Sequence, residues 1–555
     1  MKRRPRFFLG MACVVLLGIF GMTGAFGDDA SDQEREKDYM KVRKYVSKHR
    51  AGRCVLAPEG EFITVFHPTV AGWVTETLDR RLIGEIQERL APALDIQLTP
   101  RGFARAADPS AGGAAGEIGY DAVWVRDAAW VYFALREEPR RRADARKLLI
   151  ALWDYYATKQ QVGRFDDIIS HPEHAADKMK VPHIRFNGNS PSLADVYIDG
   201  KPQAWNHRQN DAHGIFLIAL ADAVTVGLVT ADDLTPGRFA PLVRFPAYFD
   251  AIGFDTFEDA GAWEEIDRRN TSSIGLVTRS LQLWKVLVVS GDTGGEAGAF
   301  RERFHAYLRD AVDPLRGSWR EDRLEALIER GVKRVKRQLA LGGESPDYDP
   351  CDVRFRRADA YLVTLIVPSP LEGLAEGDLR QVLAIIETLK RPAGTIRYVN
   401  DSYQSGNYWI KPQKKAGKKA GVTETGDASS QDLFLARFKD FMPGTEAQWF
   451  FDSLLVLARL HLAAVTEDPV RKKEDLYLAA IHLKRALGQL TGTGAGGEPL
   501  IAADGRAVPP LLPPESINTV EINGRRYLLP SPIVPLNWAK AALSMALSRY
   551  EKAIP

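Results

Sequence analysis

The chain has 555 residues, enough for several ordinary domains or for one large barrel. Its 74 basic and 72 acidic residues leave a formal net charge of +2, so it lacks the strong positive field of a nucleic-acid-binding protein. We therefore expect a neutral or weakly charged partner and no nucleic acid.

The first 27 residues have the features of an export signal. The basic stretch "M-K-R-R-P-R" precedes an uncharged run from Phe7 to Gly27, which contains the small-residue sequence Thr-Gly-Ala. This run is also long enough to cross a bilayer, so a retained anchor is the alternative to a cleaved signal peptide. Both forms predict export to the periplasm or the extracellular space, with a membrane tether through residues 7–27 if the segment is retained.

Two cysteines, Cys54 and Cys351, lie beyond this segment. In an oxidising compartment they could form a disulfide, but two buried free cysteines explain the sequence equally well. The sequence leaves both interpretations open.

Residues 28 to about 50 are charged and polar, which predicts a solvated helix or a linker. From about residue 110, loops rich in aromatic and charged residues repeatedly lead into segments whose apolar residues recur every three or four positions, the helical period. In chain order these segments are "A-R-K-L-L-I-A-L-W-D-Y-Y", "G-I-F-L-I-A-L-A-D-A-V", "I-G-L-V-T-R-S-L-Q-L-W-K-V-L", "L-R-Q-V-L-A-I-I-E-T-L", "F-F-D-S-L-L-V-L-A-R-L-H-L" and "W-A-K-A-A-L-S-M-A-L-S-R-Y".

Strand signals are few. The segment "E-F-I-T-V-F-H" (61–67) predicts a strand, and "T-V-E-I-N-G-R-R-Y-L-L" (519–529) predicts a hairpin through its Asn-Gly pair. Low-complexity stretches at 108–117, 413–421 and 491–499 predict exposed loops. No short-period repeat is visible, which argues against a solenoid. The chain is predicted to be mainly α with short β elements.

Two further motifs have simple structural explanations. The sequence "G-T-G-A-G-G" from Gly492 follows a helical segment and leads into Glu-Pro, so it predicts a flexible loop and not a dinucleotide site. In "H-P-E-H", a proline separates His171 from His174 and no third ligand is evident, which favours a surface loop. The sequence also has no P-loop, Gly-x-Ser-x-Gly or Cys-x-x-Cys motif. We expect no cofactor and no metal.

Five loop motifs are dense in residues that bind sugars, with aromatic rings for sugar faces and polar side chains for hydroxyl groups. Each motif alone also fits a structural role. Trp124 could belong to a core, Arg126 and Asp127 to an ion pair, and Glu264 and Glu265 to the first turn of a helix. Because all five precede a predicted helix, they favour one site built from several loops. The motifs are "Y-D-A-V-W-V-R-D-A-A-W" (120–130), "W-N-H-R-Q-N-D-A-H-G" (205–214), "A-G-A-W-E-E-I-D-R-R-N-T-S-S-I-G" (260–275), "I-R-Y-V-N-D-S-Y-Q-S-G-N-Y-W" (396–409) and "P-G-T-E-A-Q-W-F-F" (443–451).

In this order, the motifs resemble the glucoamylase family, glycoside hydrolase family 15, and its relative, the catalytic-like domain of the phosphorylase kinase α and β subunits. The resemblance runs from about residue 115 to the end and includes "P-L-N-W-A-K-A-A-L" (535–543), which is similar to the family's closing L-x-W-x-x-A segment. It implies an (α/α)6 barrel, or six-hairpin toroid, over residues 111–555, with a pocket in the loops at one end. Residues 28–110 would form an N-terminal extension, too short for the β-sandwich of many bacterial members.

The resemblance also implies the two carboxylates that inverting glycoside hydrolysis needs. The general acid corresponds to Glu264 in "W-E-E", and Glu265 would bind the neighbouring sugar. The general base corresponds to Glu446 in "G-T-E-A-Q-W". Inversion requires the two carboxyl groups to lie roughly 6.5–9.5 Å apart, which leaves room for a water molecule. The adjacent Trp263 would exclude solvent and raise the pKa of the acid.

The remaining implied residues bind sugar or line the pocket. Arg126 and Asp127 would hold hydroxyl groups of the terminal sugar, Trp124 would form the pocket wall, and Arg397 would lie beside the catalytic centre. The full substrate-binding set is Trp124, Arg126, Asp127, Trp205, Arg208, Asp211, Trp263, Glu265, Arg397 and Trp449.

The chain departs from the family pattern in two places. After W-E-E it reads "I-D-R-R-N-T-S-S-I-G" where glucoamylases have Gly-Ser-Phe, and its N-x-S-S-x-G part is closer to the phosphorylase kinase branch. His207 replaces the proline of the usual R-P-Q-x-D-G. The departures put the substrate's identity in doubt.

The predicted function is an exported, inverting hydrolase that removes glucose from the non-reducing ends of α-glucan oligosaccharides or polysaccharides. Two alternatives remain open. One is a non-catalytic carbohydrate-binding or regulatory protein of the same fold, and the other is an inverting hydrolase of another α-linkage, such as that of trehalose or dextran.

Overall fold

The computed structural model describes residues 29–48, 52–108, 119–198, 201–291, 294–410, 430–439, 441–493 and 497–554. Helices dominate these residues. They are α1 (Asp29–Lys48), α2 (Pro68–Thr75), α3 (Arg80–Leu94), α4 (Val125–Glu137), α5 (Arg142–Tyr156), α6 (Lys159–Ser170), α7 (Asn210–Thr225), α8 (Pro236–Ile252), α9 (Thr271–Lys285), α10 (Gly295–Asp310), α11 (Leu315–Ser318), α12 (Glu321–Leu341), α13 (Glu376–Glu387), α14 (Gln431–Phe438), α15 (Asp452–Val465), α16 (Pro469–Gly488) and α17 (Asn537–Ala553). Shorter 3-10 helices include Gly261–Trp263 and Ala360–Leu365.

Six helical segments close an inner ring within the described residues. Helix α4 packs on α7, α7 on α9, α9 on the 3-10 helix Ala360–Leu365, that helix on α15, α15 on α17, and α17 on α4. In α7, every residue from Asn210 to Val224 except Asp222 is buried, as expected for a helix enclosed on all sides. Gly214 allows α7 to approach α9 closely, since an added Cβ would lie 2.7 Å from a backbone carbon of Leu276.

An outer layer of helices covers this ring. Helix α5 packs on α4, α12 on α9, α13 on the 3-10 helix, α16 on α15, and α3 on α17. Helix α8 reaches α7 through Phe245 and Phe216, whose ring centroids are 6.3 Å apart. The outer helices have one buried stripe, as in α12, where Leu324, Leu327 and Gly331 are buried at helical spacing. The predicted (α/α)6 barrel is therefore confirmed.

The segment before residue 111 packs on the barrel. Apolar residues of α2, α3 and the hairpin before them form one core with α16 and α17. Helix α3 thus supplies the outer partner of α17, the last inner helix. The division of the chain at residue 111 stays a prediction.

The strands are short, as predicted. They form a five-stranded antiparallel sheet, in the order β13-β12-β9-β8-β7, and four two-stranded pairs in the described part of the chain. The predicted strand within 61–67 and the predicted Asn-Gly hairpin are both present. The strands are β1 (Arg53–Leu56), β2 (Phe62–Val65), β3 (Val123–Trp124), β4 (Arg185–Phe186), β5 (Tyr197–Ile198), β6 (Lys201–Pro202), β7 (Lys390–Arg391), β8 (Gly394–Ile396), β9 (Gln448–Trp449), β10 (Leu500–Ile501), β11 (Ala507–Val508), β12 (Ser516–Ile522) and β13 (Arg525–Pro530).

Helix α1 is only partly solvated. Its residues Tyr39, Val42 and Val46 are buried in a small core shared with β12 and β13. The charged sequence of 28–50 therefore forms a helix with one apolar stripe, and the opposite face is exposed.

Several predictions concern residues outside the described ranges, namely the N-terminal segment 1–27, the loop 413–421 and most of 108–117. Among the helices that are described, none is long and apolar enough to span a bilayer. Cys54 and Cys351 form no disulfide with each other, and both are exposed, so the expected burial of the two cysteines is wrong.

Candidate active site

The predicted motifs meet at one end of the barrel, where the inner segments begin. The indole Nε1 of Trp124, just before α4, donates to Glu264 Oε1, before α9, at 2.8 Å. In the first turns of α4 and α7, Arg126 Nη1 donates to Asp211 Oδ2 at 2.9 Å. Because the N-terminal ends of helices carry partial positive charge, this end of the barrel favours carboxylates.

The other inner segments begin at the same end. The indole of Trp263 donates to both carboxylate oxygens of Asp359, which caps the 3-10 helix, at 3.0 and 2.8 Å. The ring of Phe451, before α15, lies 6.0 Å from that of Trp538 at the start of α17. A single site can therefore draw on all six inner segments.

Glu264 lies in a constrained loop. Asp259 and Arg268 close this loop through two backbone hydrogen bonds of 2.9 Å. Glu264 has φ 58° and ψ 35°, a left-handed conformation that is uncommon for a residue with a side chain. Backbone strain of this kind concentrates at functional sites.

Within the described part of the chain, the hydrogen bonds to the Glu264 carboxyl group are made to one oxygen. Oε1 accepts hydrogen bonds from Trp124 and from Arg126 Nη2, the latter at 3.1 Å. Burial raises the pKa of Glu264, although the positive charges of Arg126 and Arg185 oppose this effect. A carboxyl group that keeps its proton to higher pH can serve as a general acid.

Arg185 provides a test of this electrostatic setting. Its guanidinium is buried between the rings of Trp124 and Trp205, at 4.5 and 4.1 Å from their centroids. Burial lowers the pKa of Arg185 to about 10, so it remains charged at neutral pH.

If Glu264 is the acid, Arg185→Gln should raise the pKa of Glu264, because a nearby positive charge that favours its ionised form is removed. The alkaline limb of the kcat profile, where the acid loses its proton, should then move to higher pH. The measurement is kcat from pH 4 to pH 9, with Arg164→Gln as a matched control, since Arg164 pairs with Asp195 instead. An unmoved alkaline limb would contradict the assignment of Glu264.

Glu265, the adjacent residue, has the opposite environment. Its side chain is 2% exposed, and Tyr398 OH donates to both carboxylate oxygens at 2.7 Å. Arg356 Nη2 donates to Oε2 and Arg397 Nη2 to Oε1, both at 3.1 Å, and Arg437 of α14 also donates to Oε1. We call these four donor residues, Arg356, Arg397, Tyr398 and Arg437, the Glu265 cage.

The cage determines the ionisation of Glu265. Burial alone would raise its pKa, but Arg437, Arg397, Arg356 and Arg268 outweigh burial and hold the pKa well below the usual range. Both oxygens accept from protein groups in this structure. The predicted role of Glu265 in sugar binding would require one of these donors to be shared or displaced, and that role stays a prediction.

Glu265→Gln should lower the free energy of unfolding by about 3–5 kcal/mol, because it leaves buried guanidinium groups without their common counter-charge. The wild-type carboxylate contributes fully above its unfolded-state pKa of about 4.3, and this contribution is lost as the pH falls toward the depressed folded-state pKa. The difference between wild type and variant should therefore shrink below about pH 4. Urea unfolding of wild type and variant at pH 7 and pH 3 measures this difference in unfolding free energy. An equal difference at both pH values would show that the charge of Glu265 in the cage is not the cause of the loss.

Three aromatic rings pack around Arg397, one member of the cage. The guanidinium of Arg397 lies 4.9 Å from the Trp263 ring, 4.8 Å from that of Tyr403 and 5.1 Å from that of Trp449. Asp401 accepts from Arg397 Nε and Nη2 at 2.6 and 2.7 Å. The structure thus brings the predicted residues Trp263, Arg397 and Trp449 together.

The predicted Arg-Asp pair is buried beside Glu264. The two terminal nitrogens of Arg126 donate to Gln209 Oε1 at 2.9 and 3.0 Å, in addition to Asp211 and Glu264. Burial raises the pKa of Asp127 to about 7, against the opposing charge of Arg126. A carboxyl group of this kind could donate or accept a hydrogen bond near neutral pH.

The predicted rim residues differ in what they contact. Trp205 stacks on Arg185, whereas Arg208 is engaged by the protein, donating to Asp267 Oδ2 at 2.8 Å and to the Glu258 carbonyl at 2.7 Å. Arg208 therefore joins two loops in this structure.

The structure places the predicted base, Glu446, on the loop before β9. It is 6% exposed, and its Oε1 accepts from the backbone N–H of Asn400 at 3.1 Å. Asn400 belongs to the loop that also carries Arg397 and Asp401, so Glu446 borders the cage.

One further buried carboxylate, Glu515, is not predicted from the sequence. Tyr120 OH donates to Glu515 Oε1 at 2.8 Å, and the Gln404 amide donates to Oε2. The ring of Tyr120 lies 5.5 Å from that of Trp124, the donor to Glu264. Burial raises the pKa of Glu515 to about 7, and Asp127 adds to this effect. The sequence signal was weak, a lone glutamate between two prolines and a strand.

His183, Asp195 and His207 also come together, with potential ligand atoms within 4.8 Å of one another. Both ring nitrogens of His183 are already engaged, Nδ1 with Asp195 at 2.6 Å and Nε2 with the Met179 carbonyl at 2.8 Å. The two imidazole rings stack 3.6 Å apart, so their in-plane lone pairs do not converge on one point. This cluster fits a hydrogen-bonded pair better than a metal site.

Fold and site together define an (α/α)6-barrel protein with buried carboxylates, arginines and aromatic rings at the N-terminal ends of its inner helices. No protein-family model matches the chain. The uncharacterized lipoprotein YgeQ of Escherichia coli (strain K12) is 43% identical over 150 residues, 26% of this chain and 57% of YgeQ. YgeP of the same strain is 45% identical over 68 residues, 12% of this chain and 69% of YgeP. The chain therefore belongs to the same family as YgeP, and it spans little more than half the length of YgeQ.

Several solved structures are similar to the chain. A wild-type glycosidase aligns over 86% of this chain and 100% of its own, with a TM-score of 0.47 and 16% identity. The glucoamylase of Saccharomycopsis fibuligera aligns over 86% of this chain and 97% of its own, with a TM-score of 0.44 and 14% identity. The family 15 glucoamylase of Hypocrea jecorina aligns over 85% and 73%, with a TM-score of 0.45 and 12% identity.

Proposed function

We propose that the protein is an inverting glycoside hydrolase of an α-linked saccharide, with Glu264 as its general acid. One observation carries the proposal, namely the opposite environments of the adjacent residues Glu264 and Glu265. Burial raises the pKa of the first, while four arginines lower the pKa of the second. This contrast favours Glu264, and not Glu265, as the carboxyl group that can donate a proton.

The acid step follows from the contacts of Glu264. Trp124 and Arg126 both donate to Oε1, so a proton on the carboxyl group would reside on Oε2. Transfer of that proton to the glycosidic oxygen would accompany cleavage of its bond to the anomeric carbon. The resulting carboxylate would be stabilised by the same indole and guanidinium donors.

In the same displacement, a carboxylate must remove a proton from water as the water oxygen attacks the opposite face of the anomeric carbon. Glu446 remains the prediction from sequence. We propose Glu515 as the stronger candidate, because Tyr120 connects it to Trp124 and so to Glu264. Burial raises the pKa of Glu515 to about 7, so its ionised form, present near and above neutral pH, would act as the base. Its contact with Tyr120 also fixes the orientation of the carboxylate, which a base for a single bound water requires.

The proposed substrate is an α-glucan oligosaccharide or polysaccharide from which glucose is removed at the non-reducing end. Arg126, Asp127 and the rings of Trp124 and Trp263 would hold the terminal sugar. Export supports a polymeric substrate outside the cytoplasm. The N-terminal sequence and the name of YgeQ, a lipoprotein, both favour export of this chain.

A panel of maltooligosaccharides, trehalose and isomaltooligosaccharides tests the proposal, with the anomer of the released sugar followed by NMR. Initial release of β-glucose from the maltooligosaccharides would support it, and release only from trehalose or the α-1,6-linked substrates would shift it to another linkage. Initial release of α-glucose would overturn inversion. Saturable binding without any hydrolysis, measured by calorimetry, would instead favour the carbohydrate-binding alternative.

A further inference from the structure

A groove separate from the candidate active site runs between α1 and the hairpin β12–β13. Its volume is about 870 Å³. Helix α1 contributes four basic side chains to the lining, Lys37, Lys41, Arg43 and Lys44, against the single carboxylate of Glu36. With Asp38, the partner of Lys41, the surface has four basic side chains and two carboxylates, so it keeps a net positive charge.

The groove also has an apolar component. Met40, 48% exposed, and Tyr527 line it beside Ile522 near the hairpin turn. Lys41 contacts Asp38 at 2.9 Å but is 61% exposed, so its ammonium group remains accessible to a partner. Apolar side chains bordered by lysines and arginines are typical of surfaces that lie at the lipid–water interface.

We propose that this groove docks the protein onto the surface of a bilayer that contains anionic phospholipids. The sequence identifies the partner, because the uncharged run Phe7–Gly27, which lies outside the described residues, ends just before α1 begins at Asp29. Lys37 is eight residues into the helix, or about 12 Å along its axis. If the run is retained in a membrane, it holds the groove within reach of lipid phosphates, which the basic side chains would bind.

Docking would also orient the barrel. Strand β12 runs from Ile522 in the groove to Ser516, the residue after Glu515. Six residues of strand span about 20 Å, so Glu515 would lie within about that distance of the groove. The inference concerns a separate surface and does not depend on the proposed hydrolase activity.

Lysine footprinting of the purified full chain tests the proposal. The protein is mixed with vesicles of phosphatidylcholine alone or with phosphatidylglycerol added, and lysine acetylation is measured by mass spectrometry. The reactivity of Lys37, Lys41 and Lys44 should fall about tenfold with anionic vesicles only, and 0.5 M NaCl should restore it. Lys472 and Lys473, exposed on α16, are the internal control and should not change.

Two variants sharpen the test. Lys41→Gln/Lys44→Gln should raise the concentration of anionic lipid needed for half-maximal protection of Lys37 about 20-fold, whereas Lys472→Gln/Lys473→Gln should leave this concentration unchanged. Equal protection by neutral vesicles would overturn the proposal, because the N-terminal segment alone would then account for it. Low reactivity of Lys37, Lys41 and Lys44 without vesicles would also overturn the proposal, because it would mean that the chain itself fills the groove.

Discussion

Glu264→Gln is expected to lower kcat for natural oligosaccharides about 10²–10⁴-fold, with a much smaller change in KM. Glutamine keeps a carbonyl oxygen that can accept from Trp124 and Arg126, so the loop should retain its structure. What it loses is the proton that the departing sugar oxygen needs. The measurement is steady-state hydrolysis of maltotriose by wild type and variant.

The nature of the leaving group separates loss of the acid from general damage to the site. In α-glucosyl fluoride the leaving group is fluoride ion, which departs without full protonation. Glu264→Gln should therefore retain most of its activity on this substrate. Trp449→Phe provides the control, because Trp449 belongs to the predicted sugar-binding set and its ring packs on Arg397. A defect in binding should reduce the hydrolysis of both substrates together. Equal losses for maltotriose and the fluoride in Glu264→Gln would exclude Glu264 as the acid.

Much of the fold could be predicted because its helices have regular apolar patterns. Each of the six apolar segments lies in a helix of the barrel, and the Asn-Gly pair forms the predicted hairpin. The fourth inner segment, the 3-10 helix Ala360–Leu365, is too short to give such a signal. The place of α3 in the outer layer could not be predicted either, because α3 packs on α17, the last helix in the chain and far from it in sequence.

The candidate site was predictable where several functional residues share one motif. Trp124 and Arg126 lie two positions apart, and both contact Glu264 in the structure. The cage around Glu265 could not be foreseen, because Arg356 and Arg437 come from distant segments with no motif of their own. Glu515 was missed for the same reason, since its burial against Tyr120 depends on contacts between distant parts of the chain.

The second large effect concerns the base. Glu515→Gln should reduce hydrolysis of both maltotriose and α-glucosyl fluoride about 10²–10⁴-fold, because neither substrate relieves the need to deprotonate the attacking water. Glu446→Gln should reduce hydrolysis less, because the Glu446 carboxylate accepts a hydrogen bond from the backbone of Asn400 and its loss would only loosen that loop. Glutamine is nearly the same size as glutamate, so both variants should keep the fold. The midpoint of thermal unfolding, compared with that of the wild type, checks this.

Azide distinguishes the two glutamates more sharply than rate alone. It is an anion that attacks without first losing a proton, so it should restore glycosidic cleavage only in the variant that lacks the base. With Glu515→Gln, we expect azide to accelerate consumption of α-glucosyl fluoride and to yield β-glucosyl azide, as attack from the opposite face requires. If azide rescues Glu446→Gln instead, the base is the residue predicted from sequence, and Glu515 serves to position Tyr120. Rescue of neither variant would argue against a single carboxylate base and hence against the inverting mechanism.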